Sequence, residues 1–470
     1  MATPTARSPQ ALALSATLTG HTGAVWCVAW SPEGGLLASA GADASVRLWA
    51  PPPGVLDGGR GLANGGVGRG KGPQDGPEVE AAGGGDGAEG SAAGWTCLST
   101  VGGDVFPRTV RSVAWNPDGR TLAAACFDAT VTILELLPGP PPSLVVAAVL
   151  EGHESEVKSV AWSSGGALLA TASRDKSIWI WEVGGTSPDD VECVAVLTAH
   201  TADVKALAWH PAAELLASAS YDDTVRVWAE DEDDWYATGV LSAHTSTVWG
   251  VAWESGGRPA PRLATVSDDR TVVVYRRVPP PVAGGEDRWV VVWRLGAEDS
   301  RRSGVDSVGV HRRPIYAVDW GRGGWIATAC GDDCVRVFGP TRGVPPLPIV
   351  SDGWASDPDA DIPPPLPPGP DACAAPTASD GPPAEEHSST PVGGGGPPPV
   401  DGGNASATDP ATDVDAASAV DADAFVLVGV AAPAHAGDVN SVAWHPVEGR
   451  VLASAGDDGA VRVWRLPGGG

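Results

Sequence analysis

The fold this sequence predicts is all-β: a seven-bladed β-propeller, a ring of seven four-stranded blades, and three observations predict it. The chain of 470 residues carries 20 Trp beside only four Phe and four Tyr, a ratio that a Trp used once or twice per repeat produces and ordinary core building does not. An apolar-Ala-Trp type of anchor closes a period-two strand pattern seven times, at Trp30, Trp115, Trp162, Trp209, Trp253, Trp320 and Trp444. Six anchors stand at a fixed distance after a His, and every anchor is followed by an Asp turn that keeps a fixed distance to a closing bulky residue.

The His stands nine residues before the anchor in six repeats, at His21, His153, His200, His244, His311 and His435, and Phe106 takes that place in the second. After the anchor come a small-residue strand, a tight turn carrying Asp and an alternating strand that closes on a bulky residue, as in Ser39 to Trp49. The turn acids are Asp43, Asp128, Asp175, Asp222, Asp269, Asp332 and Asp458, and six residues later stand Trp49, Leu134, Trp181, Trp228, Tyr275, Phe338 and Trp464. The constant interval means that turn and strand tolerate no insertion. This pattern is similar to the WD repeat, a propeller blade of about 40–45 residues, so seven units need about 300 residues.

The single propeller is expected to span 11–466, and two tracts hold most of the surplus: a Gly/Pro-rich insertion at 51–94 in blade one and a Pro/Gly-rich acidic one at 340–424 in blade six. Neither has a hydrophobic period, and both are expected to be disordered. Each begins after the third strand of its blade and ends before the fourth, so both leave the face opposite the His and Asp turns and keep the turn face open. Ala11 to Leu18 reads as a strand without a blade, and the last repeat stops at its third strand, Val461 to Trp464. Pairing the N-terminal strand with the C-terminal blade is expected to close the ring and remove its open edges.

Charge excludes several functions. With 58 acidic against 30 basic residues the formal charge is −28, which disfavours nucleic acid and anionic membrane as partners. The second tract alone holds 14 acids and one Arg, the composition of a solvating loop. No run of about eighteen apolar residues offers a membrane span. Seven Cys without a CxxC pair fit a reducing, cytoplasmic compartment. Cys330 and Cys334 flank one turn but lack the further ligands a four-coordinate metal site requires. No phosphate-binding loop or dinucleotide fingerprint occurs, so neither a cofactor nor a small-molecule substrate is expected.

His21, Ser39 and Asp43 taken alone suggest a catalytic triad. A nucleophilic site needs one set in one pocket, whereas here the set recurs around the ring, each beside a Trp, as in His153, Asp175 and Trp181 or His200, Asp222 and Trp228. A buried network fixing each blade is the expected role, and the chain is expected not to be an enzyme.

In WD-repeat propellers the residue five after the His and the one before the turn Asp point toward the mouth of the channel. On that resemblance the first set is Trp26, Arg111, Lys158, Lys205, Trp249, Tyr316 and Asn440, and the second is Ala42, Phe127, Arg174, Tyr221, Asp268, Gly331 and Asp457. Two of only four Lys thus join Arg111 and Arg174 in one sector, interleaved with Phe127 and Tyr221, a composition typical of protein-binding hot spots and suited to an acidic peptide or carboxylate.

The segments Leu150 to Trp162, Ser173 to Glu182, Ala219 to Arg226, Glu232 to Trp235, His244 to Trp249, Ala329 to Asp333 and Asp438 to Trp444 resemble the WD-repeat subunit family of the cytosolic iron–sulfur protein assembly (CIA) targeting complex. The resemblance covers all seven repeats, and the two insertions and Phe106 depart from it. It implies a scaffold in the cytoplasm, and in the nucleus as well, that joins protein subunits of that complex and helps deliver clusters to apoprotein clients, with cluster ligation left to the partners. The same architecture would serve another adaptor, such as a substrate receptor of a ubiquitin ligase or a reader of histone tails.

Overall fold

Small residues dominate the second strand of every blade: Leu37–Gly41 reads LASAG, Leu168–Ser173 LLATAS, Leu215–Ser220 LLASAS and Val451–Gly456 VLASAG. These strands are buried on nearly every residue, because each is sandwiched between its own blade's neighbours and the flat faces of the adjacent blades. Ala and Ser on that strand leave room for Trp, Leu and Val from the next blade at ordinary sheet-packing separation. The seven apolar clusters among the described residues accordingly straddle blade pairs, as when Ala38 and Leu48 pack with Val110, Leu122 and Leu134.

The structure, a computed structural model, describes residues 9–55, 94–184, 190–231, 234–255, 261–278, 288–296, 311–340 and 425–467. The described residues are all-strand, in seven sheets wound in order around the ring, each with four antiparallel strands. Blade three is representative: Val157–Trp162, Leu168–Ser173, Ile178–Val183 and Val191–Leu197 pair consecutively from channel to rim. Most residues of the two insertions lie outside the described residues. The boundary at Pro340 needs correction: that residue still belongs to the strand Val335–Pro340 and pairs with Phe425.

Ring closure follows the expected pairing and adds to it. Ala13–Leu18 forms the outer strand of blade seven, antiparallel to Val461–Arg465. The preceding Gln10–Ala11 pairs in parallel with Phe425–Ala431, the outer strand of blade six. Ala11 to Leu18 is therefore not one strand: the chain breaks at the buried Leu12 and passes from one blade to the next.

Indole N–H groups tie neighbouring blades together. Trp30 donates to the carbonyl of Ala443, Trp115 to Ala29, Trp162 to Ala114, Trp209 to Ala161 and Trp253 to Ala208, all at 2.9–3.2 Å. The series stops at blades six and seven, where the buried Trp320 and Trp444 indoles have no hydrogen-bond acceptor among the described residues. There Asp319 replaces the Ala before the anchor, and its carboxylate accepts from the backbone N–H of Trp320 at 2.8 Å and of Trp444 at 2.6 Å. A side-chain clamp thus joins blades six and seven in place of the indole bond.

Candidate functional site

Each Asp turn needs a left-handed residue immediately after the acid. That position is Ala44, Ala129, Lys176, Asp223, Arg270 and Asp333, all at φ between 54° and 75°, and only blade seven uses glycine, Gly459. Non-glycine residues there cost about 1 kcal/mol or more. The turn Asp helps offset this cost by accepting from a hydroxyl two residues on: Ser45 at 2.8 Å, Thr130 at 2.7 Å, Thr224 at 2.6 Å and Thr271 at 2.7 Å. The Asp-x-Ser/Thr spacing was present in the sequence as a signal for this second ligand of the carboxylate.

The same carboxylates take the His rings. Asp43 can only accept, so His21 Nδ1–H donates to it at 3.0 Å; Nε2 of the neutral ring accepts from the Ser39 hydroxyl at 2.8 Å, and Ser39 accepts from the Trp49 indole at 2.8 Å. The chain repeats as Asp175, His153, Thr171 and Trp181, as Asp222, His200, Ser218 and Trp228, and as Asp458, His435, Ser454 and Trp464. Blade five keeps the first three members with Asp269, His244 and Thr265. Burial raises the turn carboxylates, but the bonds from His and hydroxyl outweigh it, holding Asp43 at about 2 and Asp175, Asp222 and Asp269 lower still. Ser39, Thr171, Ser218, Thr265 and Ser454 are fully buried, so no substrate can reach the hydroxyl a triad would use.

Blade two replaces the network wholesale. Phe106 takes the His position, Ala124 the Ser position and Leu134 the Trp position, all essentially buried. Removing the imidazole, the hydroxyl and the indole together leaves none of the three orphaned, and the retained Asp128 is served by the Thr130 hydroxyl and backbone N–H instead, which is why the substitution is tolerable.

Blade six is a third solution. His311 Nε2 accepts from Thr328 at 3.2 Å, Phe338 stands where an indole would, and Arg336 enters the site. Its guanidinium grips both oxygens of Asp332, at 2.9 and 2.7 Å, and lies 3.2 Å from His311 Nδ1. Burial and this cation push His311 down to about 3. His311, Cys330 and Asp332 bring possible metal ligands within 4.8 Å of one another, yet the guanidinium already supplies the positive charge. Burial and the Asp332 charge push the Cys330 thiol up to about 12 and Cys334 to about 11, disfavouring the thiolate a metal needs.

All seven residues of the first predicted set, Trp26, Arg111, Lys158, Lys205, Trp249, Tyr316 and Asn440, line one central cavity of about 570 Å³. In the second set, Arg174 and Tyr221 are more than half exposed on the turn face, Ala42 and Asp457 are also exposed, and Gly331 packs against the Tyr316 ring. The four cations are not equivalent. Arg174 is exposed and pairs with Glu156 at 3.3 Å, whereas Arg111, Lys158 and Lys205 sit inside the channel, each against an aromatic ring: Arg111 5.1 Å from the Trp26 centroid, Lys158 3.9 Å from Phe127, and Lys205 5.2 Å from Tyr221 and 5.0 Å from Trp249. Burial, with repulsion from Lys205 and Arg111, lowers Lys158 to about 8 despite Glu156. The opposite side of the mouth is acidic. Tyr316 donates to Asp438 at 3.1 Å, Asn440 to Asp457 at 2.9 Å and Ser246 to Asp268 at 3.2 Å.

The family model described as "WD domain, G-beta repeat" matches residues 13–50, 95–133, 145–182, 191–229, 235–276 and 428–465. A probable cytosolic iron-sulfur protein assembly protein Ciao1 from Culex quinquefasciatus is 42% identical over 338 residues, covering 71% of this chain and 84% of that relative. Shorter matches include Protein CIA1 of Arabidopsis thaliana, 31% identical over 25% of this chain and 24% of that protein, and a probable CIAO1 homolog of Nematostella vectensis, 34% identical over 34% of this chain and 26% of that protein. With a seven-bladed ring, repeated Asp–His–hydroxyl networks and a relative matched over most of its length, the chain belongs to the Ciao1 family of WD-repeat proteins.

Proposed function

We propose that this chain is a non-catalytic scaffold of cytosolic iron–sulfur protein assembly, which helps deliver clusters to cytosolic and nuclear apoproteins by binding the protein subunits of the targeting complex and their clients. The observation that carries this reading is the match to relatives named for cytosolic iron–sulfur protein assembly. The burial of every network hydroxyl supports a binding role over a chemical one. Docking is assigned to the turn face, where Arg174 and Tyr221 project as an exposed Arg–aromatic pair of the kind that anchors interfaces.

Affinity capture from cytosol followed by mass spectrometry tests the reading. Iron–sulfur assembly subunits are expected with the wild-type chain, and Arg174→Glu is expected to lose them while melting at the wild-type temperature, since the side chain is 59% exposed. Recovery of a ubiquitin-ligase adaptor or of histone peptides instead would replace the reading. Capture unchanged by Arg174→Glu would move the docking site elsewhere.

A further inference from the structure

The channel cations ask for a counter-ion that the chain does not provide. Arg111 is half-buried in the channel wall, yet its guanidinium makes no ion pair among the described residues; Nη1 donates only to the Trp26 carbonyl, at 3.4 Å. Lys158 likewise has no hydrogen-bond or ion-pair partner there, only the Phe127 ring and the more distant charge of Glu156. Lys205 has Asp203 at 3.2 Å. Glu156 is already shared by Arg174 at 3.3 Å and Arg108 at 3.8 Å. Five cations of this sector, Arg108, Arg111, Lys158, Arg174 and Lys205, therefore face two carboxylates. A buried charge without a partner is costly and persists where something else compensates it.

We propose that the inner mouth of the channel, on the side of blades two to four, is a binding site for a compact, multiply charged phosphate-type oxyanion held by Arg111, Lys158 and Lys205. Three features select that chemistry. The charge surplus matches a polyvalent anion better than a single carboxylate. An Arg fork followed round the ring by two ammonium groups suits phosphate oxygens, and the aromatic collar of Trp26, Phe127 and Trp249 lowers the local dielectric and strengthens each contact. The third feature is the acidic far side, where Asp268, Asp438 and Asp457 would repel an acidic chain laid across the mouth. A ligand confined to one sector avoids them. The cavity of about 570 Å³ lies within the range of small-ligand sites. The site is distinct from the exposed Arg174, and the inference stands whether or not that residue docks a protein.

The test uses the full chain and inorganic tripolyphosphate, followed by isothermal titration calorimetry at physiological ionic strength. Saturable one-to-one binding is expected, weakened tenfold or more in Lys158→Gln and in Arg111→Gln and little changed in Arg465→Gln, a control cation on blade seven. Thermal melting checks the fold: because the cations repel one another, unliganded Lys158→Gln should melt no lower than wild type, and tripolyphosphate should raise the melting temperature of wild type and Arg465→Gln well above any rise in Lys158→Gln or Arg111→Gln. A pH series supplies a readout that a structural role would not move. Lys158 is faced by Glu156, Lys205, Arg111 and Asp203 and releases its proton near pH 8, so affinity should fall between pH 7 and 9. ATP separates the sources of the phosphate: equal affinity for ATP and tripolyphosphate assigns recognition to the phosphates, whereas binding of ATP without tripolyphosphate overturns the proposal. No binding, or equal binding by Lys158→Gln, overturns it too.

Discussion

The buried networks make a quantitative prediction in blade four. His200 donates to Asp222 at 2.8 Å and accepts from Ser218 at 2.7 Å, and Ser218 accepts from Trp228 at 2.9 Å. His200→Phe leaves the Ser218 hydroxyl without its acceptor and takes from Asp222 Oδ2 the stronger of its two donors, the Thr201 N–H at 3.0 Å remaining, while Ser218→Ala leaves His200 Nε2 and the Trp228 indole. At about 1–3 kcal/mol for each orphaned buried group, either single change costs about 2–6 kcal/mol. The double variant leaves the Trp228 indole unpaired and Asp222 Oδ2 with the Thr201 N–H alone, at 3.0 Å, because the hydroxyl and the ring nitrogen that needed each other are both gone. It should therefore be about as unstable as one single variant, with a coupling of about 2 kcal/mol or more. Blade two shows the end point of this logic in Phe106, Ala124 and Leu134. Urea unfolding of the four proteins, followed by Trp fluorescence, measures the cycle. Losses that add to within about 0.5 kcal/mol would mean the groups act independently and refute the reasoning.

Three further outcomes follow from the geometry. Lys176 sits at φ 74°, and Lys176→Gly should raise stability by about 0.5–1 kcal/mol in urea; a loss would mean that the side chain contributes more than the backbone strain costs. Deleting residues 1–20 removes the strand paired with Val461–Arg465 and the buried Leu12 and Leu18, and should cost about 5 kcal/mol or more and expose a sheet edge, read as a lower melting temperature and larger species on gel filtration. In acid, His311, held near 3 against an ordinary 6.5, lets the unfolded chain bind the extra proton first, so stability should begin to fall below pH 6.5. Asp43 and Glu156, both held near 2 in the folded chain, contribute stability that is complete above their ordinary values near 4 and is lost as pH drops toward 2. Urea midpoints should thus decline gently from pH 6.5 and steeply below 4, and a flat midpoint would contradict the assignment.

Blade number and network membership were legible because they rest on spacing: nine residues from His to anchor and six from Asp to the closing aromatic are set by strand length and turn type, which are local. The direction of Arg111, Lys158 and Lys205 toward the channel followed from the resemblance to WD repeats, applied at that spacing. Their depth was not legible, since burial depends on how closely seven blades converge, and no single repeat carries that information. Arg336 and Asp319 were missed for a different reason. Each stands at an ordinary strand position, and its role appears only when residues distant along the chain, His311 for one and Trp444 for the other, come beside it. The break at Leu12 was hidden because both halves of the segment read as strand, and only the parallel partner in Phe425–Ala431 separates them.

The crossing at Leu12 carries a consequence for synthesis. A ribosome releases Ala13–Leu18 long before the partner Val461–Arg465 exists, so those apolar residues travel through the making of six blades with nothing to cover them. Until the last hairpin emerges, the nascent chain is an open arc with two raw flanks. Because the same segment grips both blade six and blade seven, its docking fastens two joints, and the arc turns into a ring once Val461–Arg465 is free to pair.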